Sequence, residues 1–221
     1  MKLSPARRKA LQQAADKFHH SLDEQTWDYL LARGLSEEQV AARLLGLVSV
    51  DCDPMYADLV GRLAIPYLTP AGVVAIRFRC LEDHDCKEYE EAHGFHKKYH
   101  QMKNEPDHLY NVLALHERHP ALGITEGEFD AMVVDEHVLP TVGVPGATKW
   151  KPFWARLMED HERVFLIGDG DDAGKRFVEK LMGELPNGHP VIFPPGHDPN
   201  SYFLEHGAEG LAEYIVGGHA T

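Results

Sequence analysis

At 221 residues, with 43% hydrophobic and 26% charged side chains, the chain has the composition of a globular protein of one domain or two small ones. No apolar run approaches the roughly 18 residues of a membrane helix, and the basic start MKLSPARRKA leads into polar QQAADKFHH rather than an apolar targeting core. A membrane protein is therefore not expected, and a reducing cytoplasm is the expected compartment. The formal charge of -13 argues against a broad phosphate-binding surface, yet it is uneven: +1 over residues 1–50, -4 over 51–120 and -10 over 121–221, which fits a more basic part beside a carboxylate-rich part that holds divalent metal.

Residues 4–45 read as helical, with Leu22, Trp27, Leu30 and Leu31 in one apolar stripe and Gly34 as its stop. SEEQVAARLL follows, with Ser36 as N-cap and Glu37 and Glu38 in the first turn. Arg43 is the single basic residue of this second helix, so the pair reads as a packing module rather than a DNA-reading helix-turn-helix. From residue 61 the period changes: RLAIPYLTPAGVVAIRFRCL forms two apolar runs about a turn at Thr69 to Gly72, a β-hairpin. Residues 82–108 are polar and rich in histidine and charge, and are expected to form an exposed loop carrying HKKYHQMK. Cys52, Cys80 and Cys86 show no CxxC spacing, and the fifteen histidines show none typical of a metal site, so neither a disulfide framework nor a zinc ribbon is expected. Arg77 and Arg79 alternate with Ile76 and Phe78; they either face water or join Lys97, Lys98 and Lys103 in the largest basic cluster of the chain.

A domain boundary is placed near residue 118, where ERHP precedes a change of period, giving 1–118 as a helical and β-hairpin subdomain and 119–221 as a second domain. There strand and helix alternate: ALGIT, GEFDAMVVDEHVL, TVGV, KPFWARLMEDH, RVFLIG, DAGKRFVEKLMGEL and PVIFP. Such alternation means an α/β fold with a parallel sheet and right-handed crossovers. Phe177, Val178, Leu181, Met182 and Leu185 share one helix face, and Trp150 and Trp154 read as core and rim.

Ligand crevices of open α/β sheets lie beyond the carboxyl ends of the strands. Here the first strand runs into Thr125, Glu126 and Gly127, the third into Gly168, Asp169, Gly170, Asp171 and Asp172, and the last into PPGHDPN with Asp198. Carboxylates gathered within a few ångströms repel one another and need a proton or a cation between them; hard oxygens without His or Cys favour Mg²⁺ or Mn²⁺. The competing reading, that acids at helix N-termini merely complement the helix dipole, accounts for Glu128, Asp130 or Asp172 singly but not for two strands ending in the same pattern.

TEGEFDA followed by RVFLIGDGDDAGKRF resembles the two signatures of the Toprim fold, and the downstream PPGHDPNSYFLEHG resembles the matching segment of bacterial primases of the DnaG type and of phage primase-helicases. Upstream, TWDYLLARGLSEEQVAARLLGL and RLAIPYLTPAGVVAIRFR resemble the entry and strand pair of the primase polymerase core, while KKYHQMKNEPDHLYNV resembles a later segment but lacks its Asn-Ser-Pro and Lys-Gly elements. The resemblance implies a Toprim-like parallel sheet with flanking helices after a smaller helical and β subdomain. It also implies Glu126, Asp169 and Asp171 as metal ligands for Mg²⁺ or Mn²⁺, Asp130 and Asp198 as supporting acids, and Arg62, Arg79, Lys98 and Tyr99 as contacts to nucleotide or template. Asn200 stands where an acidic residue is common.

The activity so implied is metal-dependent RNA primer synthesis from ribonucleoside triphosphates on single-stranded DNA, in the cytoplasm of a bacterium or of a phage's host. The alternatives are a Toprim nuclease and a non-catalytic Toprim nucleic-acid-binding module. A replicative helicase and a separate zinc-ribbon protein are the expected partners, since the first fifty residues offer only the adjacent His19 and His20 as possible zinc ligands.

Overall fold

The computed structural model describes residues 3–94, 96–117 and 119–217. They form two compact units, one of residues 1–32 and 36–106 and the other of residues 33–35 and 107–221. The division thus falls at Pro106 and Asp107, upstream of the position 118 expected from periodicity. The reason is packing: Leu109 and Ala114 are buried in the core of the second unit, and Tyr110 exchanges backbone hydrogen bonds with Gly143 there. These anchors lie before the change of period at which the boundary was placed.

The first unit sets helices α1 (Pro5–His20), α2 (Glu24–Ala32) and α3 (Glu37–Ala42) before strands β1 (Gly46–Leu47), β2 (Leu63–Thr69) and β3 (Gly72–Arg79). Ser4 caps α1 and Ser36 caps α3, each side chain accepting from a backbone N–H three residues on. The sheet is antiparallel in the order β1-β2-β3-β4, where β4 (Tyr99–Gln101) closes on β3 with Arg79 opposite Tyr99. Pro66 is tolerated inside β2 because β1 pairs only with Leu63 and Ala64, so the edge beside Pro66 needs no donor. Phe18 of α1 packs edge-on against Tyr56 and Phe78 over this sheet. The stretch expected to be a bare loop instead holds helix α4 (Cys86–His93) and strand β4; Asp85 caps α4, accepting from the N–H groups of Lys87 and Glu88. No residue of α4 is buried, which explains why its apolar signal is missing from the sequence.

In the second unit, β5 (Ala121–Thr125), α5 (Glu128–His137), β6 (Thr141–Gly143), β7 (Arg163–Gly168), α6 (Asp172–Met182), β8 (Gly188–Ile192) and α7 (Pro199–Val216) follow in order. The four strands are parallel, in the order β6-β5-β7-β8, and read as near-continuous apolar runs because both faces are covered. Leu122, Ile124, Val164 and Leu166 pack with Phe177, Val178 and Leu181 of α6 and with Trp150 and Trp154. Both tryptophans are therefore core residues, in edge contact at 5.8 Å between ring centroids. KPFWARLMEDH is not an α-helix: its ordered part is a 3₁₀ turn, Pro152–Leu157, which buries Trp154. Helix α7 is broken at Gly207, whose φ of 72° leaves the helical region.

Four of the five residues assigned to one face of α6 and its C-terminal end are buried, whereas Met182 is 42% exposed. Phe177→Ala should cost about 3–5 kcal/mol, and Met182→Ala should stay within about 0.5 kcal/mol. Urea unfolding of the two variants checks this; equal losses would place Met182 in the core.

Candidate metal centre

Strands β5 and β7 are hydrogen-bonded neighbours, with Ile124 opposite Leu166, so their carboxyl ends lie side by side. Glu126 is the first residue beyond β5 and Asp169 the first beyond β7. The remaining acids sit on helix N-termini: Asp130 in the first turn of α5, Asp171 as N-cap of α6 and Asp198 as N-cap of α7. The turn from β7 into α6 is packed backbone on backbone. A Cβ on Gly170 would stand 1.9 Å from the Pro194 carbonyl oxygen, and one on Gly174 2.2 Å from that of Asp169. These two glycines are required by close approach, which lets Asp169 and Asp171 be delivered two residues apart.

The five carboxylates act on one another electrostatically. Burial pushes Glu126 up to about 7, with Asp171 and Asp130 adding to the rise; the Asp169 backbone N–H and Arg176 pull the other way. Burial likewise raises Asp130 well above the carboxylate range, reinforced by Asp198 and Asp169, while the Asn200 backbone N–H and Arg33 oppose it. Glu126, Asp130, Asp169, Asp171 and Asp198 are thus coupled electrostatically at this end of the sheet, although no three of them bring ligand atoms as close together as a bound ion requires.

Capping accounts for part of the arrangement. Asp171 Oδ1 accepts from the N–H groups of Ala173 and Gly174, both at 2.8 Å, and Asp198 Oδ1 accepts from the Ser201 N–H at 2.6 Å within a capping box. Each cap engages a single oxygen. Capping leaves Glu126 unexplained: it caps nothing, and its Oε1 is buried with no hydrogen-bond partner. An acceptor of that kind suits a cation, and the donor set of hard carboxylate oxygens suits Mg²⁺ or Mn²⁺.

Two residues of this cluster carry no obvious signature. Asn200, 2% exposed, donates from Nδ2 to the Arg33 carbonyl at 2.6 Å and accepts from Arg33 Nη1 at 3.2 Å. The Arg33 guanidinium also lies over the Phe129 ring, 5.5 Å from its centroid. Asn200 therefore anchors the one arginine that tempers Asp130, across 167 residues of chain. Glu128, read as a dipole complement, is buried.

The basic candidates all lie in the first unit. Arg79 does not face water: it is 6% exposed, donates from Nη1 to Tyr99 Oη at 2.5 Å, and lies over the rings of Tyr99 and Tyr29. Arg77 covers the same Tyr99 ring at 4.8 Å. Arg62 donates to the Lys97 carbonyl at 2.8 Å, and Lys98 is exposed. Strand pairing thus gathers Arg79, Tyr99 and Lys98 at one end of β3 and β4.

Residues 123–203 match a Toprim-like family model. The chain superposes on the zinc-binding and RNA polymerase domains of the Aquifex aeolicus primase with a TM-score of 0.78 at 20% identity, covering 98% of this chain and 62% of that one. It superposes on the RNA polymerase domain of Mycobacterium tuberculosis primase DnaG, in a complex with double-stranded DNA, with a TM-score of 0.73 at 20% identity, covering 96% and 80%. Residues 123–203 thus form a Toprim-like domain, in a chain with the fold of a DnaG-type primase catalytic core. The chain is 36% identical over 160 residues to the Gene 57 protein of Mycobacterium phage D29, covering 70% of this chain and 98% of the phage protein, and belongs to its family. Among the described residues, no helix is long and apolar enough to cross a membrane.

A carboxylate whose pKa is raised on folding binds more protons in the native than in the unfolded state, so its contribution to stability falls as pH rises from its unfolded pKa through its folded one. For Glu126 that window is pH 4.5 to about 7. Metal-free protein should therefore lose thermal stability across this window, the loss should shrink in Glu126→Gln, and the gain in melting temperature on adding Mg²⁺ should grow with pH. Calorimetry between pH 5 and 8, with EDTA or with Mg²⁺, is the measurement; a Mg²⁺ effect that is absent or independent of pH would remove the carboxylate cluster as its cause.

Proposed function

We propose that the chain is the catalytic core of a DNA primase, joining ribonucleoside triphosphates into a primer on single-stranded DNA in the cytoplasm of a bacterium or a phage's host. The observation that supports it most directly is the unpartnered Glu126 Oε1 inside a five-carboxylate cluster of a primase-core fold. Glu126, Asp169 and Asp171 would hold the Mg²⁺ or Mn²⁺, with Asp130 and Asp198 as supporting acids. When bound, the cation supplies Lewis-acid neutralisation of phosphate charge and makes the attacking primer hydroxyl more acidic.

The protein's own part is positioning and proton handling. Glu126, beside the cation and with one buried oxygen unpartnered, is suited to accept the proton of the primer 3′-hydroxyl as that oxygen attacks the α-phosphate and pyrophosphate leaves. The Asn200 backbone N–H and the Arg33 guanidinium, itself bonded to the Asn200 side chain, temper the charge on Asp130. Arg62, Arg79, Lys98 and Tyr99 serve nucleotide and template: Arg79 and Tyr99 as a rigid stacked pair, exposed Lys98 as a phosphate contact. A helicase and a zinc-ribbon protein would be partners in choosing where synthesis begins.

Incorporation of labelled nucleotide on single-stranded DNA tests the reading. Glu126→Gln and Asp171→Asn should each lower Mg²⁺-dependent incorporation by about 100-fold or more while the circular dichroism spectrum is kept, since Asn preserves the α6 cap. Unfolding of both variants, or undiminished synthesis, would overturn these roles; Mg²⁺-dependent cleavage of the DNA without incorporation would mark a nuclease. Lys98→Ala should weaken single-strand binding irrespective of sequence and lower the salt slope by about 0.7. Titrations at several salt concentrations read this directly, and an unchanged slope would remove Lys98 from the phosphate contacts.

A further inference from the structure

We infer that the first unit contains a second metal site, a tetrahedral zinc centre formed by Cys80, His84, Cys86 and His96. One sulfur or nitrogen atom from each of the four lies within 4.8 Å of all the others, the one such group of His, Cys, Asp and Glu among the described residues. His84 Nε2 stands 2.9 Å from His96 Nε2 and 3.9 Å from Cys80 Sγ. Zinc with bonds of ~2.3 Å to sulfur and ~2.0 Å to nitrogen spaces its ligands ~3.3 to 3.8 Å apart. The four atoms already bracket that shell, so small side-chain rotations complete it.

The surroundings fit a ligand set better than chance proximity. His84 Nδ1 is 3.2 Å from Glu82 Oε2, so the carboxylate engages the ring nitrogen opposite the Nε2 that faces the cluster. That carboxylate–imidazole pairing orients histidines on zinc generally. Tyr89 stacks on His84 at 4.6 Å and packs against His96 at 4.9 Å, holding both rings. Zinc binding would expel the two thiol protons and leave a site of zero net charge.

The spacing, C-x₃-H-x-C-x₉-H, departs from the C-x₂-C pairs of zinc ribbons, which is why no zinc site is read from the sequence. Two short chain segments supply the ligands: Cys80 follows the last residue of β3, and His96 lies three residues before β4. The centre would pin the α4 excursion to the strand pair and fix the backbone that presents Arg79, Lys98 and Tyr99. Two thiolates and two imidazoles in tetrahedral array favour zinc over hard cations.

The test is elemental analysis of the untagged full-length protein, purified under reducing conditions from cells supplied with zinc. About one zinc per chain is expected, falling several-fold in Cys86→Ser and in His96→Ala but not in Cys52→Ser. Replacement by Co²⁺ should give tetrahedral d–d bands and thiolate charge transfer, a readout independent of nucleotide incorporation. Zinc that persists in both ligand variants would be adventitious and would overturn the assignment. So would zinc-free protein, whether its Cys80 and Cys86 are freely titratable thiols or, by intact mass, a disulfide two hydrogens lighter.

Discussion

Repulsion among buried carboxylates is the constraint around which the second unit is arranged. Glu126 and Asp130 are both driven toward protonation by burial and by their acidic neighbours. Left uncompensated, such a cluster costs several kilocalories per mole at neutral pH by the general linkage of pKa to stability. The fold offsets part of this with partial positive charge. Three helix N-termini carry Asp130, Asp171 and Asp198, backbone N–H groups reach Glu126 and Asp130, and Arg33 and Arg176 stand nearby. What remains unbalanced falls on Glu126 and Asp130, and of the two Glu126 carries a buried oxygen with no hydrogen-bond partner. A site built in this way is unstable alone in the manner that makes it responsive to a cation.

Holding the carboxylates close requires a scaffold that does not yield to their repulsion. A parallel sheet buried on both faces is such a scaffold, because strand ends cannot separate without breaking the ladder that joins β5 to β7 and β7 to β8. The glycines at 170 and 174 transmit this rigidity to the loop. Their backbones are seated against the carbonyls of Pro194 and Asp169, so the β7–α6 turn has little freedom to relax outward. Where stability is drawn from the core of Phe177, Leu181, Trp150 and Trp154, it is available to offset strain at the acidic end.

Much of this was legible in the sequence because it depends on local pattern. Alternating apolar runs and helix-period faces announce the βα order, and acids placed directly after strands announce the site. What escaped depends on pairings across long separations or on elements without a buried face. The Asn200 bond to Arg33 joins the start of α7 to the loop after α2, and no local periodicity encodes it. Helix α4 buries nothing and so leaves no apolar stripe, only the capping residue Asp85 as a trace. Segment 107–117 precedes the change of period that placed the expected boundary, yet Leu109, Tyr110 and Ala114 are buried with the second unit. Arg79 was open to two readings on strand alternation; its burial under Tyr99 depends on β4, an element hidden in the polar stretch 82–108.

The two donor sets divide along a chemical line that limits cross-occupancy. The acidic cluster presents oxygens only, a poor match for a soft cation but a good one for Mg²⁺, which keeps much of its water and exchanges as substrate comes and goes. The Cys80, His84, Cys86 and His96 group presents sulfur and nitrogen in four positions, which closes the shell and leaves no place for a water or a substrate atom. A closed shell cannot take part in phosphoryl transfer, so the role left to it is mechanical. It would join the end of β3 to the approach of β4, beside the Cys80 N–H bond to the Lys98 carbonyl and the Arg62 bond to the Lys97 carbonyl. Without a cation those ties must hold a helix with no buried face. With one, Lys98 and Tyr99 gain a fixed backbone from which phosphate and base contacts can be made.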